Sequence, residues 1–136
     1  MTCIVCTRKG MAADRQTVYS LNFKSPKLVQ YKSSIFGFSG DAEKQGQFMR
    51  WIGGGEQPIW PSDSDFAALE LTDSGEIWLH LADLEPQIVE NDFYGIGSGS
   101  QIAIGAMEKG ADMREAIRIA SKWDSNTSAE VQLVML

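Results

Sequence analysis

The sequence predicts an α+β fold, a four-layer α/β/β/α sandwich of two antiparallel sheets flanked by helices. Three observations predict it. Short apolar runs occur in uninterrupted hairpins, whereas an open parallel sheet needs a helix between most consecutive strands. Those runs carry apolar residues on both strand faces, so each sheet is expected to be covered twice. The helical segments carry one apolar stripe each, as helices do when they cover a sheet and face water on the other side. With 136 residues, 43% of them hydrophobic, the chain fills one such domain, residues 1–136, and not two.

The elements follow in order. Residues 2–8 and 11–19 read as a first hairpin turning at Lys9 and Gly10, and residues 27–31 and 34–38 as two short strands joined by a polar turn. The sheet stops at Ser39, Gly40 and Asp41. A helix over 41–52 places Phe48, Trp51 and Ile52 at i, i+3 and i+4, and Gly53, Gly54 and Gly55 end it. Residues 56–63 form a loop, because Pro58 and Pro61 are excluded from a sheet interior. Strands at 65–71 and 76–81 flank Thr72-Asp73-Ser74-Gly75, a hairpin turn whose glycine absorbs positive φ. Further strands follow at 86–91 and 94–96. Gly110 splits two helices, 100–109 and 112–123; Asp112 is the N-cap of the second, which puts Met113, Ala116, Ile117, Ala120 and Trp123 on one face. The last strand, 130–136, alternates Val131, Leu133 and Met135 with more polar neighbours. There is no internal repeat.

A net charge of -6 with no basic stripe disfavours nucleic acid and anionic membrane as partners, since both require clustered cationic surface. No signal-peptide pattern follows Met1, and no apolar run approaches the roughly 20 residues that span a bilayer, so a soluble, cytoplasmic protein is expected. Cys3 and Cys6 have a spacing that suits a redox pair or half a zinc site. On a strand, however, residues three apart point to opposite faces, so the two read as small apolar strand residues. His80 is the only histidine. Neither a metal nor a cofactor is expected.

Removal of Met1 would leave Thr2 at a free N-terminus, where one residue carries both a nucleophile and a base. Its hydroxyl can attack while its own α-amine, with an unperturbed pKa of about 7.7–8.0, takes the proton. Further along stand Ala13-Asp14, Lys27, Gly37-Phe38-Ser39-Gly40, Gly97-Ser98-Gly99 and Asp124-Ser125-Asn126-Thr127. Taken singly, Asp14 and Lys27 read equally well as solvated strand-end charges, Gly37 and Gly40 as strand-end glycines, residues 97–99 as a plain turn and 124–128 as a polar loop ending a helix. Taken together and in this order, over nearly the whole chain, they resemble the proteasome β-subunit and HslV-type N-terminal-threonine (Ntn) hydrolases.

The resemblance implies that Thr2 is the nucleophile and its α-amine the general base. Lys27 would be the cation that favours loss of the hydroxyl proton, and Asp14 the carboxylate that holds Lys27. The two are expected on neighbouring strands within roughly 4 Å of one another, with Thr2 beside them. Gly40 would offer its backbone N–H to an oxyanion, and Ser98, Asp124 and Thr127 would form the polar network around the amine. The activity implied is that of a threonine endopeptidase acting on peptides or unfolded proteins, as a homo-oligomer with an ATP-dependent unfoldase as partner. A small-molecule amidase and a non-catalytic structural or assembly member of the same fold are the alternatives. The segment after residue 52 is shorter than in that family, where a second long helix stands, so one outer helical layer is expected to be thin. Arg15 and Gln16 also follow Asp14 where many members carry small residues. Trp51, Trp60 and Trp78 are more large aromatics than a thin layer covers, which again points to self-association.

Overall fold

The computed structural model describes residues 2–15 and 27–136. Among these residues are two antiparallel sheets and three helices. The first sheet has the strand order β8-β1-β2-β9, from Phe93–Ile96, Ile4–Thr7, Gly10–Asp14 and Val131–Met135. The second has the order β3-β4-β5-β6-β7, from Leu28–Tyr31, Ser34–Gly40, Phe66–Leu71, Ile77–Leu81 and Gln87–Val89. Turn chemistry explains the hairpins: Gly75, with φ of 87°, closes β5 onto β6 in a conformation that side chains resist. Expected strand residues 16–19 lie outside the described residues, and β2 itself stops at Asp14.

Three cores hold the layers together. Ile4, Cys6, Met11, Leu28, Leu69 and Ile77 pack between the sheets. Gly37 sharpens that contact, since a Cβ there would lie 2.6 Å from Met11 Sδ and 2.8 Å from Ile4 Cγ2. On the outer face of the first sheet, Cys3, Val5 and Ala12 pack against α2 (Ser100–Glu108) and α3 (Met113–Trp123). Coverage from both sides explains why every residue of β2 is buried. On the outer face of the second sheet, Phe36, Phe38 and Phe66 pack against Phe48 of α1 (Ala42–Ile52). Both long caps follow from sequence: Asp41 accepts from Glu43 N–H at the start of α1, and Asp112 from Glu115 N–H at the start of α3.

Several expectations are corrected. Trp51 and Trp60 are not surplus aromatics, because both pack against the Phe48 cluster, and Trp60 Nε1–H donates to Gln47 Oε1 at 2.6 Å. Trp123 does not share the buried face of α3; it is 78% exposed, because α3 ends there and the chain turns away at Asp124. Of the β9 residues read as alternating with more polar neighbours, Val131 packs against the helices while Leu133 and Met135 are exposed; Val134 packs between the sheets. Arg8, at the far end of β1 from Thr2, donates to the carbonyls of Gly75, Glu90 and Asn91. This ties the first sheet to the turns of the second.

Candidate active site

Asp14 closes β2 and is 1% exposed, at the end of the first sheet where the chain enters β1. A carboxylate so placed needs donors, and four converge on it. Its Oδ1 accepts from Thr2 Oγ1 at 2.6 Å, from Cys3 N–H at 2.8 Å and from Lys27 Nζ at 3.0 Å. Its Oδ2 accepts from Ser128 N–H at 2.9 Å. Register explains the first two: Ile4 pairs with Ala13, which sets Cys3 beside Asp14, and Asp14 N–H in turn donates to Cys3 O at 3.1 Å.

Lys27 belongs to the second sheet. Its carbonyl accepts from Phe38 N–H at 2.9 Å just before β3, and its ammonium crosses to the first sheet, where it is largely buried. The two charges are therefore within the expected distance but not on neighbouring strands. β2 and β3 are consecutive in sequence and lie in different sheets, so the ion pair bridges the sheets. Thr2 is 3% exposed, and its hydroxyl shares Asp14 Oδ1 with the Lys27 ammonium, which makes the two neighbours.

Gly40 ends β4 opposite Phe66, two residues beyond the strand position that pairs with Lys27. Its φ is 103°, and a Cβ there would collide with the backbone of Asp65. The N-terminus of α1 begins immediately after it, so the partial positive charge of that helix falls at Gly40.

Ser98, Asp124 and Thr127 also meet. Asp124 Oδ2 accepts from Ser98 Oγ at 2.6 Å and from Thr127 Oγ1 at 2.7 Å, and Oδ1 from Asn126 N–H at 3.2 Å. These bonds, Ser98's first, hold the Asp124 carboxyl below the usual carboxylate range. Two glycines attach this network to the start of β1. A Cβ on Gly97, whose φ is 97°, would collide with the Thr2 carbonyl, and one on Gly99 would lie 3.2 Å from Cys3 Cβ. Gly97 and Gly99 were visible in the sequence as a turn, and their approach to Thr2 and Cys3 gives the reason for it. The Cys3 and Ser128 N–H donors carried no signal, because a backbone amide is the same at every residue.

The cysteines are not a redox or metal pair. Cys3 faces the helices and Cys6 the space between the sheets. Burial, reinforced at Cys3 by Asp14 and Asp124 and opposed by Lys27, pushes both thiols up to about 12. Among the described residues no three His, Cys, Asp or Glu side chains converge as a cation site requires, and no helix is long and apolar enough to cross a membrane.

A second carboxylate cluster lies on the outer face of the second sheet, under α1. Glu70 Oε2 accepts from Ser34 Oγ at 2.8 Å and Oε1 from His80 Nε2–H at 3.0 Å. The His80 bond, ahead of Ser34's, lowers the Glu70 carboxyl against the opposing effect of burial. His80 is buried edge-on to Phe48, with ring centroids 5.2 Å apart, and its Nδ1 has no partner among the described residues. No hydrogen bond joins Ser34 to His80.

No known protein-family model matches the chain, and no curated protein does either. Solved structures are similar. Thiobacillus denitrificans BPH is 18% identical with a TM-score of 0.75, over 99% of this chain and 97% of that one. Eukaryotic HslV from Trypanosoma brucei is 20% identical with a TM-score of 0.74, over 99% of both chains. A Gly-1 mutant of Anbu from Hyphomicrobium sp. strain MC1 is 10% identical with a TM-score of 0.73, over all of this chain and 82% of that one. At these identities the likeness is one of fold.

Proposed function

We propose that the chain is an N-terminal-nucleophile hydrolase, a threonine peptidase that cleaves peptide bonds once the α-amine of Thr2 is free. The observation that carries the reading is the meeting of the Thr2 hydroxyl and the Lys27 ammonium on one oxygen of a buried carboxylate, Asp14 Oδ1. A threonine hydroxyl is a weak nucleophile at neutral pH and gains from an adjacent cation and base. Its likeness in fold to HslV and BPH supports the reading, which includes one domain stacked as four α/β/β/α layers.

In this mechanism Thr2 Oγ1 attacks the carbonyl carbon of an extended peptide while the α-amine takes the hydroxyl proton. Lys27 favours the developing alkoxide, and Gly40 N–H, at the positive end of α1, stabilises the oxyanion. The C–N bond then breaks, the amine passes its proton to the leaving nitrogen, and an ester on Thr2 remains. Water, deprotonated by the same amine, attacks that ester; the acyl carboxylate leaves and Thr2 recovers its proton. Ser98, Asp124 and Thr127 orient the amine. The proposal extends to peptide or unfolded-protein substrates, a cytoplasmic homo-oligomer and an ATP-dependent unfoldase.

The test uses protein shown by mass spectrometry to begin at Thr2. Such protein is expected to hydrolyse peptide amides and to gain the mass of epoxomicin, the compound bound in a second, 18% identical structure of Thiobacillus denitrificans BPH. Thr2→Ala is expected to abolish both, and Thr2→Ser to retain part of the turnover. Equal rates for parent and Thr2→Ala would overturn the mechanism, and no turnover by a chain with a confirmed free Thr2 amine would favour a non-catalytic role.

A further inference from the structure

The two outer surfaces of the molecule differ in charge and in cover. From Arg50 to Lys109 the chain contains no Lys or Arg between them, and that stretch includes β5, β6 and β7. In the second sheet, register places Trp78 opposite Ile88. Alternation puts both on the outer face with His80, beyond the reach of α1, whose cluster includes neither. Ile88 is 50% exposed. The same register, continued past the strand ends, sets Glu76 opposite Glu90, both exposed and next to that apolar pair. The result is an uncovered apolar patch with an acidic border; Arg8 reaches the backbone carbonyls of Gly75 and Glu90 there and pairs with Asp92, while the Glu76 and Glu90 carboxylates form no ion pair among the described residues.

The opposite outer surface carries the reverse. On α3, Arg114, Arg118 and Lys122 recur every four residues along the solvent side, away from the buried Met113, Ala116, Ile117 and Ala120. None of the three forms an ion pair among the described residues. Alongside them, half-buried Ile119 and exposed Trp123 make an apolar pair at i, i+4.

We infer that these two surfaces dock on each other between copies of this chain. They cannot meet within one molecule, because α3 covers the first sheet while Trp78 and Ile88 lie on the outer face of the second. A second copy supplies both complements: cations against Glu76 and Glu90, and Trp123 against Trp78 and Ile88. The charges orient the encounter and discourage like-on-like docking, while the tryptophan burial holds it, tryptophan being among the residues that dominate interfaces. Because the surfaces differ, the contact is heterologous, and repetition closes a ring or extends a filament. This gives a surface to the self-association in the proposed function and rests on that reading only there; mass, not turnover, is the readout, so the two fail separately.

Sedimentation of two variants and their mixture tests it. The parent chain should sediment above 15.0 kDa, and Ile88→Asp and Trp123→Asp should each run only at 15.0 kDa, both substitutions being at exposed positions. An equal mixture retains one intact pair of surfaces and should form a species of two chains and nothing larger. A parent that stays at 15.0 kDa, either variant assembling alone, or a mixture that stays monomeric overturns the inference. Charge reversal gives an independent check should either aspartate variant misfold. Glu76→Lys with Glu90→Lys, or Arg118→Glu with Lys122→Glu, should abolish assembly, and all four in one chain should restore it; no restoration overturns the inference.

Discussion

Two clusters in this molecule are built from the same parts, a carboxylate, a hydroxyl and a basic side chain, and only one of them has the connectivity that the proposed nucleophilic mechanism requires. Ser34, Glu70 and His80 would attract attention in any list of residues, yet Ser34 and His80 both bond Glu70 and not each other. The serine reaches only the Glu70 carboxylate, which His80 also bonds, and the imidazole lies edge-on to Phe48 with its Nδ1 unbonded among the described residues. At Asp14 the hydroxyl is likewise held by the carboxylate, but it belongs to a residue whose own amine can act once freed, and a lysine stands beside it. Connectivity decides, and composition does not.

The comparison is broken or sharpened by substitution. The largest effect is expected from Asp14→Ala, which strands Lys27, Thr2 and two backbone N–H groups in a buried place and should cost about 3–5 kcal/mol; urea denaturation measures it. A loss under about 1 kcal/mol would mean that the cluster is not held as a unit. Lys27→Ala leaves Asp14 with its hydroxyl and amide donors, so about 1–3 kcal/mol is expected by the same measurement, with near-complete loss of peptide turnover. Glu70→Gln should cost about 0.5–1.5 kcal/mol and leave turnover unchanged, since it touches neither Thr2 nor Lys27. A marked fall in turnover would erase the distinction between the clusters. The smallest effect is one of pH. The Glu70 carboxyl is lowered in the folded chain by His80, so its contribution is full above the unfolded value of about 4.3 and is lost as pH falls through the lower folded value. The stability gap between parent and Glu70→Gln should therefore shrink on acidification, and a gap that widens in paired urea titrations would contradict the assignment.

Much of this was legible beforehand because hairpin turns and helix caps are local. Thr72-Asp73-Ser74-Gly75 and Asp112 carry their geometry in neighbouring residues, and both behave as read. What was not legible depends on distant partners. Nothing local to Asp14 or Lys27 says that consecutive strands part company into different sheets. Trp123 continues the buried spacing of α3 perfectly well; its exposure depends on the helix ending there and the chain turning away at Asp124. Of the candidate site, the side chains Thr2, Asp14, Lys27, Ser98, Asp124 and Thr127 could be picked out as residue types, while the amides of Cys3 and Ser128 had to be seen.

Arg8 has a mechanical consequence. It reaches from the first sheet to the turns of the second at one end of β1, while Lys27 reaches from the second sheet to Asp14 at the other. Two plates joined by one pin can pivot about it. Joined by two, set apart along the same strand, they resist both swivelling and sliding, and the Thr2 hydroxyl on one plate is kept beside the ammonium carried by the other.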